Sequence, residues 1–188
     1  MPIISQSELK TVRNSYEQLK LGSIVQLRQS FKQRNAVYGE VTIFLSHKHS
    51  DGVILESIII LLKEIGVNVY IDWLDETMPA VTSGVTATKL KEKMRECHKF
   101  ILLATEDAIA SKWCNWELGY SDAWKLSSDN LAILPIKNDN TTFSGNEYLQ
   151  IYPYIQEISL YGPKYGLEVV FPQTNKKIDL KTWLNPIH

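Results

Sequence analysis

Two periods of apolar residues divide this chain, and the places where one gives way to the other mark its elements. Over residues 5–34, Leu9, Val12, Tyr16 and Leu19, then Ile24, Leu27 and Phe31, recur near the helical repeat. Ser5 with Glu8 forms a capping-box pattern at the start of this stretch. Gly22 and Ser23 interrupt it, so the pattern fits one kinked helix or two short ones. From Val41 the pattern changes to short β-branched and aromatic runs. Residues 41–46, 67–72, 99–104 and 131–136 read as strands. Between them lie stretches with helical signals. Ser50 or Asp51 stands where a cap is needed for a helix over Gly52–Ile65, and Gly66 ends it. Thr86 reads as the cap of a helix running to about Cys97. Residues 106–127 read as helical, with a break near Ser111 and Lys112. A loop over 73–85, carrying Pro79 and Gly84, joins the second strand to the next helix. Beyond Ile136 the rhythm fades: 137–150 is polar, 155–160 and 167–171 read as strands around a Gly162–Pro163 turn, and 180–184 as a helical turn.

Short apolar strands alternating with helices predict an α/β fold, a central parallel sheet with helices on both faces. The expected division is an N-terminal helical extension over 1–39, a domain over 40–160 and a C-terminal extension over 161–188 packed on it. Composition adds little to this and removes several classes of function. The 188 residues carry 20 basic and 21 acidic side chains, a net charge of −1, so no bulk field draws the chain to nucleic acid or to an anionic membrane. The uninterrupted apolar run at 58–62 is too short to span a bilayer. Two cysteines, Cys97 and Cys114, and a polar N-terminus without a signal-peptide core point to a reducing, cytoplasmic setting.

In an open parallel sheet, ligands bind beyond the carboxyl ends of the strands. The segments that reach that edge hold Ser46, His47, His49 and Asp51 after the first strand, and Asp72, Trp73, Asp75 and Glu76 after the second. After the third comes the stretch Trp113-Cys-Asn-Trp-Glu117. Carboxylates, hydroxyls and indoles converging on one edge suit a nucleotide-like ligand. Each residue also has a plainer reading. A glutamate on a surface helix is usually a solvated charge, Trp113 and Trp116 are more often packing anchors, Ser46 can satisfy backbone, and Asp51 reads as a helix cap. No His/Cys spacing supports a metal site, and nothing pairs Cys114 with a base. The loops lack the glycine-rich signatures of dehydrogenases and P-loop enzymes, and the acidic pair of a phosphoacceptor domain is missing after the first strand.

Three of these segments together resemble the TIR family. Val41-Thr-Ile-Phe-Leu-Ser-His-Lys-His-Ser-Asp51 is similar to its first box, and Thr82-Ser-Gly84 before a capped helix resembles its BB loop. Ser111-Lys-Trp-Cys-Asn-Trp-Glu-Leu118 resembles the segment that carries its catalytic glutamate. The likeness covers about 40–136 and implies a flavodoxin-like fold. It implies further that Glu117 is catalytic in breaking the nicotinamide–ribose bond of NAD+. Ser46, His47, Asp72, Trp73, Ser83, Trp113 and Trp116 would contact the substrate, with no other cofactor and no metal. Bond breakage passes through a ribosyl cation, which a carboxylate stabilises. Water then gives ADP-ribose, and attack within the molecule gives a cyclic isomer. The family also implies self-association through the loop over 73–85. Short bacterial members of this kind resemble the signalling component of Thoeris-type anti-phage defence, whose product acts on a separate effector. Rival readings are an adaptor that works by self-association alone, a virulence factor that depletes host NAD+, and a deoxyribosyltransferase-like enzyme.

Overall fold

Five of the apolar runs lie side by side as parallel strands, and their order places the candidate residues. The computed structural model describes residues 3–18, 41–75, 77–79, 83–143, 145–158 and 166–185. The expected helical continuation over 19–34 with its Gly22–Ser23 break, and the Gly162–Pro163 turn, lie outside them. The chain opens with strand β1 (Ile4–Ser5) and helix α1 (Gln6–Gln18), then β2 (Thr42–Ser46), α2 (Gly52–Ile65) and β3 (Asn68–Tyr70). It continues through α3 (Gly84–Glu96), β4 (Lys99–Ala104), α4 (Glu106–Ala110), α5 (Lys112–Lys125) and β5 (Leu131–Lys137). It ends with β6 (Tyr154–Glu157), β7 (Leu167–Phe171), β8 (Lys176–Asp179) and α6 (Leu180–Leu184).

The sheet order is β3-β2-β4-β5-β6-β7-β8. Its first five members pair in parallel, and β7 and β8 extend the edge antiparallel. The order turns back between β2 and β4, the switch point beside which ligands bind in flavodoxin-like folds. The alternating strand period divides the core in two. Ile43, Leu45, Ile101 and Leu103 join the cluster under α1, α2 and α6, while Phe44, Phe100, Leu102 and Ala104 join the cluster under α3, α4 and α5. By the same alternation Ser46 falls on the Phe44 face, where α5 packs.

The helix ends show how local chemistry fixes the elements. Ser5 caps α1 as its sequence implies: its N–H and hydroxyl both donate to Glu8, at 2.7 and 2.6 Å. Gly66 ends α2 in the left-handed conformation, φ +87°, its N–H directed at the carbonyls of Leu62 and Lys63. Two expected caps need correction. The helix expected to be capped by Thr86 starts earlier, at Gly84: Ser83 is the N-cap, and Thr86 is its partner in a capping box, accepting the Ser83 N–H at 3.0 Å. Asp51 stands at the N-cap position of α2 but its side chain does not cap it. Its carboxylate accepts instead from Thr105 at 2.7 Å, and Ser50 donates to Asp107 at 3.0 Å.

The N-terminal segment opens with a strand that its helical pattern does not foretell. β1 pairs in parallel with the end of β5, Ile4 opposite Ile136. On β5 the Ile133 N–H donates towards the β6 side, to Pro153 at 2.8 Å. Alternation turns the Pro135 nitrogen to that same edge, between the β6 pairing at Ile133 and the β1 pairing at Ile136. A proline with no donor therefore sits where the edge changes partner. α1 packs Leu9, Val12 and Tyr16 into the same cluster as α2, and Arg13 pairs with the buried Glu56 at 2.9 Å. Covered on both sides, α2 is buried at every position from Ile54 to Leu62, which accounts for its run of consecutive apolar residues.

Candidate active site

Helix α5 carries two stripes with different tasks. Cys114, Glu117, Leu118, Ser121 and Lys125 are its buried positions. Glu117 therefore lies on the core-facing stripe, at 6% exposure, and the reading of it as a solvated surface charge is set aside. Ser111 positions this stripe: it separates α4 from α5 and accepts the Cys114 N–H with its hydroxyl at 3.5 Å. Asn115 steadies the same turn by donating to the carbonyls of Ile109 and Ser111, at 2.8 and 2.9 Å.

Opposite Glu117 stands the end of β2. The Ser46 hydroxyl donates to the Glu117 carboxyl at 2.5 Å, and both groups are buried. Burial pushes the Glu117 carboxyl up to about 8; the Ser46 bond opposes the shift and the negative charge of Asp72 adds to it. The group is then mostly neutral at pH 7. Cys114 beside it is also buried, and its thiol is pushed up to about 11. A thiol held protonated at neutral pH is a poor nucleophile.

His47 follows Ser46 and buries its side chain, the ring nitrogen Nδ1 2.9 Å from the Leu45 carbonyl and Nε2 3.9 Å from Asp72. Asp72 opens a single 3-10 turn, Asp72–Leu74, directly after β3, and is partly exposed. Asp75 then organises the start of the loop over 73–85. It accepts from Tyr70 at 2.9 Å and from the Thr77 N–H and hydroxyl at 2.9 and 2.7 Å, and Lys89 of α3 reaches the Thr77 carbonyl. Burial would raise the Asp75 carboxyl, but these bonds and the Lys93 charge hold it below its ordinary value.

The remaining expected residues are distributed as follows. Ser46, Glu117, His47 and Asp72 come together at the switch point. Trp73 belongs to the turn that Asp72 opens, but the position of its side chain lies outside what is described. Ser83 is engaged as the cap of α3. Trp113 is 37% exposed and meets Trp116 edge-on, centroids 5.2 Å apart. Trp116 stacks on Tyr120 at 6.0 Å with Lys91 over both rings, and Arg95 lies over Tyr120 and Trp124. Trp113, Trp116, Tyr120 and Trp124 thus form the flanking stripe of α5, zipped to α3 by cation–π contacts. Sequence reasoning missed Thr105, which is buried, donates to Asp51 and accepts the Ala108 N–H at 3.1 Å. This hydroxyl ties the loop after β2 to the end of β4. The signal for it was its position, immediately after a strand and one residue before a helix.

The mostly parallel sheet in flavodoxin-like order, covered by helices on both faces, is the fold of a TIR domain. The TIR domain family model matches residues 43–161, more than half of the chain, and the chain belongs to that family. Its relatives include ThsB' of Bacillus cereus (strain MSX-D12), named a probable 3' cyclic ADP-D-ribose synthase. The two are 28% identical over 164 residues, which cover 84% of this chain and 82% of that protein. A second relative is TIR2 of Cytobacillus dafuensis, whose name provisionally makes it a cyclic ADP-D-ribose synthase. It is 22% identical over 119 residues, 62% of this chain but only 31% of that longer protein.

Proposed function

We propose that this TIR domain cleaves the nicotinamide–ribose bond of NAD+ and closes the remaining ADP-ribose into a cyclic isomer. The observation that carries this reading is Glu117, buried on the inner stripe of α5 and bonded to Ser46 at the switch point. The names of the two relatives support cyclisation over plain hydrolysis. The C1′–N bond breaks with its electron pair leaving on nicotinamide, which departs neutral, so no acid is required. Positive charge appears on the ribose, and the Glu117 carboxylate opposite it lowers the barrier electrostatically. The proton on Glu117 is no obstacle. The nicotinamide ring of NAD+ is itself cationic, and a cation within a few ångström favours the ionised carboxyl. Ser46 donates to that carboxylate and holds its orientation. Trp113, exposed one helical turn earlier, offers a ring for stacking at the mouth of the site.

Self-association through the loop over 73–85, whose first residues Asp75 and Lys89 brace, completes the site in this proposal, and the cyclic product signals to a separate effector in anti-phage defence. The test is to incubate the full chain with NAD+ and resolve the products by chromatography and mass spectrometry. Nicotinamide together with a product one water lighter than ADP-ribose is the expected result. Nicotinamide with ADP-ribose alone would make the protein a glycohydrolase. No nicotinamide at any protein concentration, under crowding that promotes assembly as well, would favour an adaptor.

A further inference from the structure

The proposed reaction leaves one proton unassigned. When a ribose hydroxyl of the same molecule captures the cation, an O–C1′ bond forms and the hydroxyl proton must go to a base. Glu117 is committed to the cation, and the Cys114 thiol is held protonated by burial. Asp51, Asp72 and His47 also lie at this edge. Asp51 is turned to Thr105, with Asp107 and His47 nearby. Asp72 faces the His47 Nε2 at 3.9 Å, and the geometry of His47 is specific. The Leu45 carbonyl can only accept a hydrogen bond, so the Nδ1 at 2.9 Å from it carries a hydrogen. In the neutral ring this leaves the lone pair on Nε2. Nε2 is the nitrogen on the Asp72 side, 3.9 Å from the carboxylate, on a ring that is 4% exposed.

We infer that His47 is the general base of the capture step: the Leu45 carbonyl fixes its tautomer, Nε2 takes the proton of the attacking hydroxyl, and Asp72 stabilises the imidazolium that results. This rests on the proposed cleavage of NAD+ and adds a role to that site. A backbone acceptor fixes the tautomer, and the carboxylate lies on the side of the nitrogen that takes the proton. Its neighbour in the chain, Ser46, holds Glu117, so cleavage and capture are served by adjacent residues at the end of β2. The proton leaves to solvent through Asp72, which is partly exposed. Lys48 is a further charged group near this loop, acting at Cys114.

Two measurements test the inference. Nitrogen-15 NMR of the histidine ring in the wild-type chain, assigned with His47→Gln, reports the tautomer whether or not the protein turns over. Neutral His47 should show protonated Nδ1 and bare Nε2; a proton on Nε2 with bare Nδ1 overturns the proposal. With NAD+, His47→Gln should lower the ratio of cyclic product to ADP-ribose about tenfold, whatever its rate of nicotinamide release. Asp72→Asn, at a partly exposed position, should lower the ratio in the same direction. An unchanged ratio in both variants overturns the base role and leaves the cleavage reading standing. A wild-type chain that releases no nicotinamide overturns the cleavage reading, and the base role with it.

Discussion

Glu117 owes its character to its surroundings. On an exposed helix it would titrate near 4.5; buried against Ser46 and facing Asp72, its carboxyl moves up to about 8. Two outcomes follow with defined signs. The folded state holds a proton that the unfolded chain has lost between about pH 4.5 and pH 8, so this group weakens the fold as pH rises through that window. Glu117→Gln removes the effect. Thermal melts should show the variant gaining stability over wild type from pH 5 to pH 9, and a constant difference would contradict the burial. On the proposed reading the same group also governs the rate. In the free enzyme the acid limb of kcat/KM should lie near pH 8. In the substrate complex, where the cationic ring favours ionisation, the limb of kcat should lie at lower pH. Ser46→Ala removes a bond to the charged form and should move both limbs upwards. Initial rates across pH 5–10 decide this; limbs that stay in place would remove Ser46 from the site.

The elements explain why some of this was legible in sequence. The break at Ser111 and the stop at Gly66 follow from local chemistry and stand where the pattern put them; the strand runs do so too, although the run over 67–72 is a strand only at Asn68–Tyr70 and the run over 155–160 becomes Tyr154–Glu157. Side-chain partners set by packing were not legible. Asp51 looked like a cap because caps are read from the next three residues; Thr105, 54 positions away, is what it meets. The stacking of Trp116 on Tyr120 beneath Lys91 of α3 was not legible either. β1 escaped because a two-residue strand has no period. Stability at this scale is testable at Gly66. A methyl group there meets nothing within 4 Å, yet φ is +87°, so Gly66→Ala pays only for backbone conformation. The cost should be about 1 kcal/mol, a fall of roughly 2–4 °C in Tm, with product ratio unchanged. A larger loss, or a changed ratio, would mean that α2 couples to the site.

At the scale of the molecule, residues 4–18 of the N-terminal extension join the sheet and the cover over α2. β1 pairs with the outer edge of β5, and α1 supplies Leu9, Val12, Tyr16 and the Arg13 partner of buried Glu56. Removing residues 1–18 bares that edge and the apolar outer face of α2, and such surfaces aggregate. The truncated chain should be recovered mainly as insoluble protein, and a soluble product with wild-type Tm would contradict the packing. The catalytic reading also belongs to the whole molecule, since Ser46, Asp72 and Glu117 come from three separate segments that meet only in the folded sheet. The most direct measurement is the rate of nicotinamide release from NAD+ at pH 8 by wild type and by Glu117→Gln, each checked for fold by circular dichroism. The expected result is release by wild type and a loss of at least a hundredfold in the folded variant. Equal rates from the two proteins would show that the buried carboxylate at the switch point is not what breaks the bond.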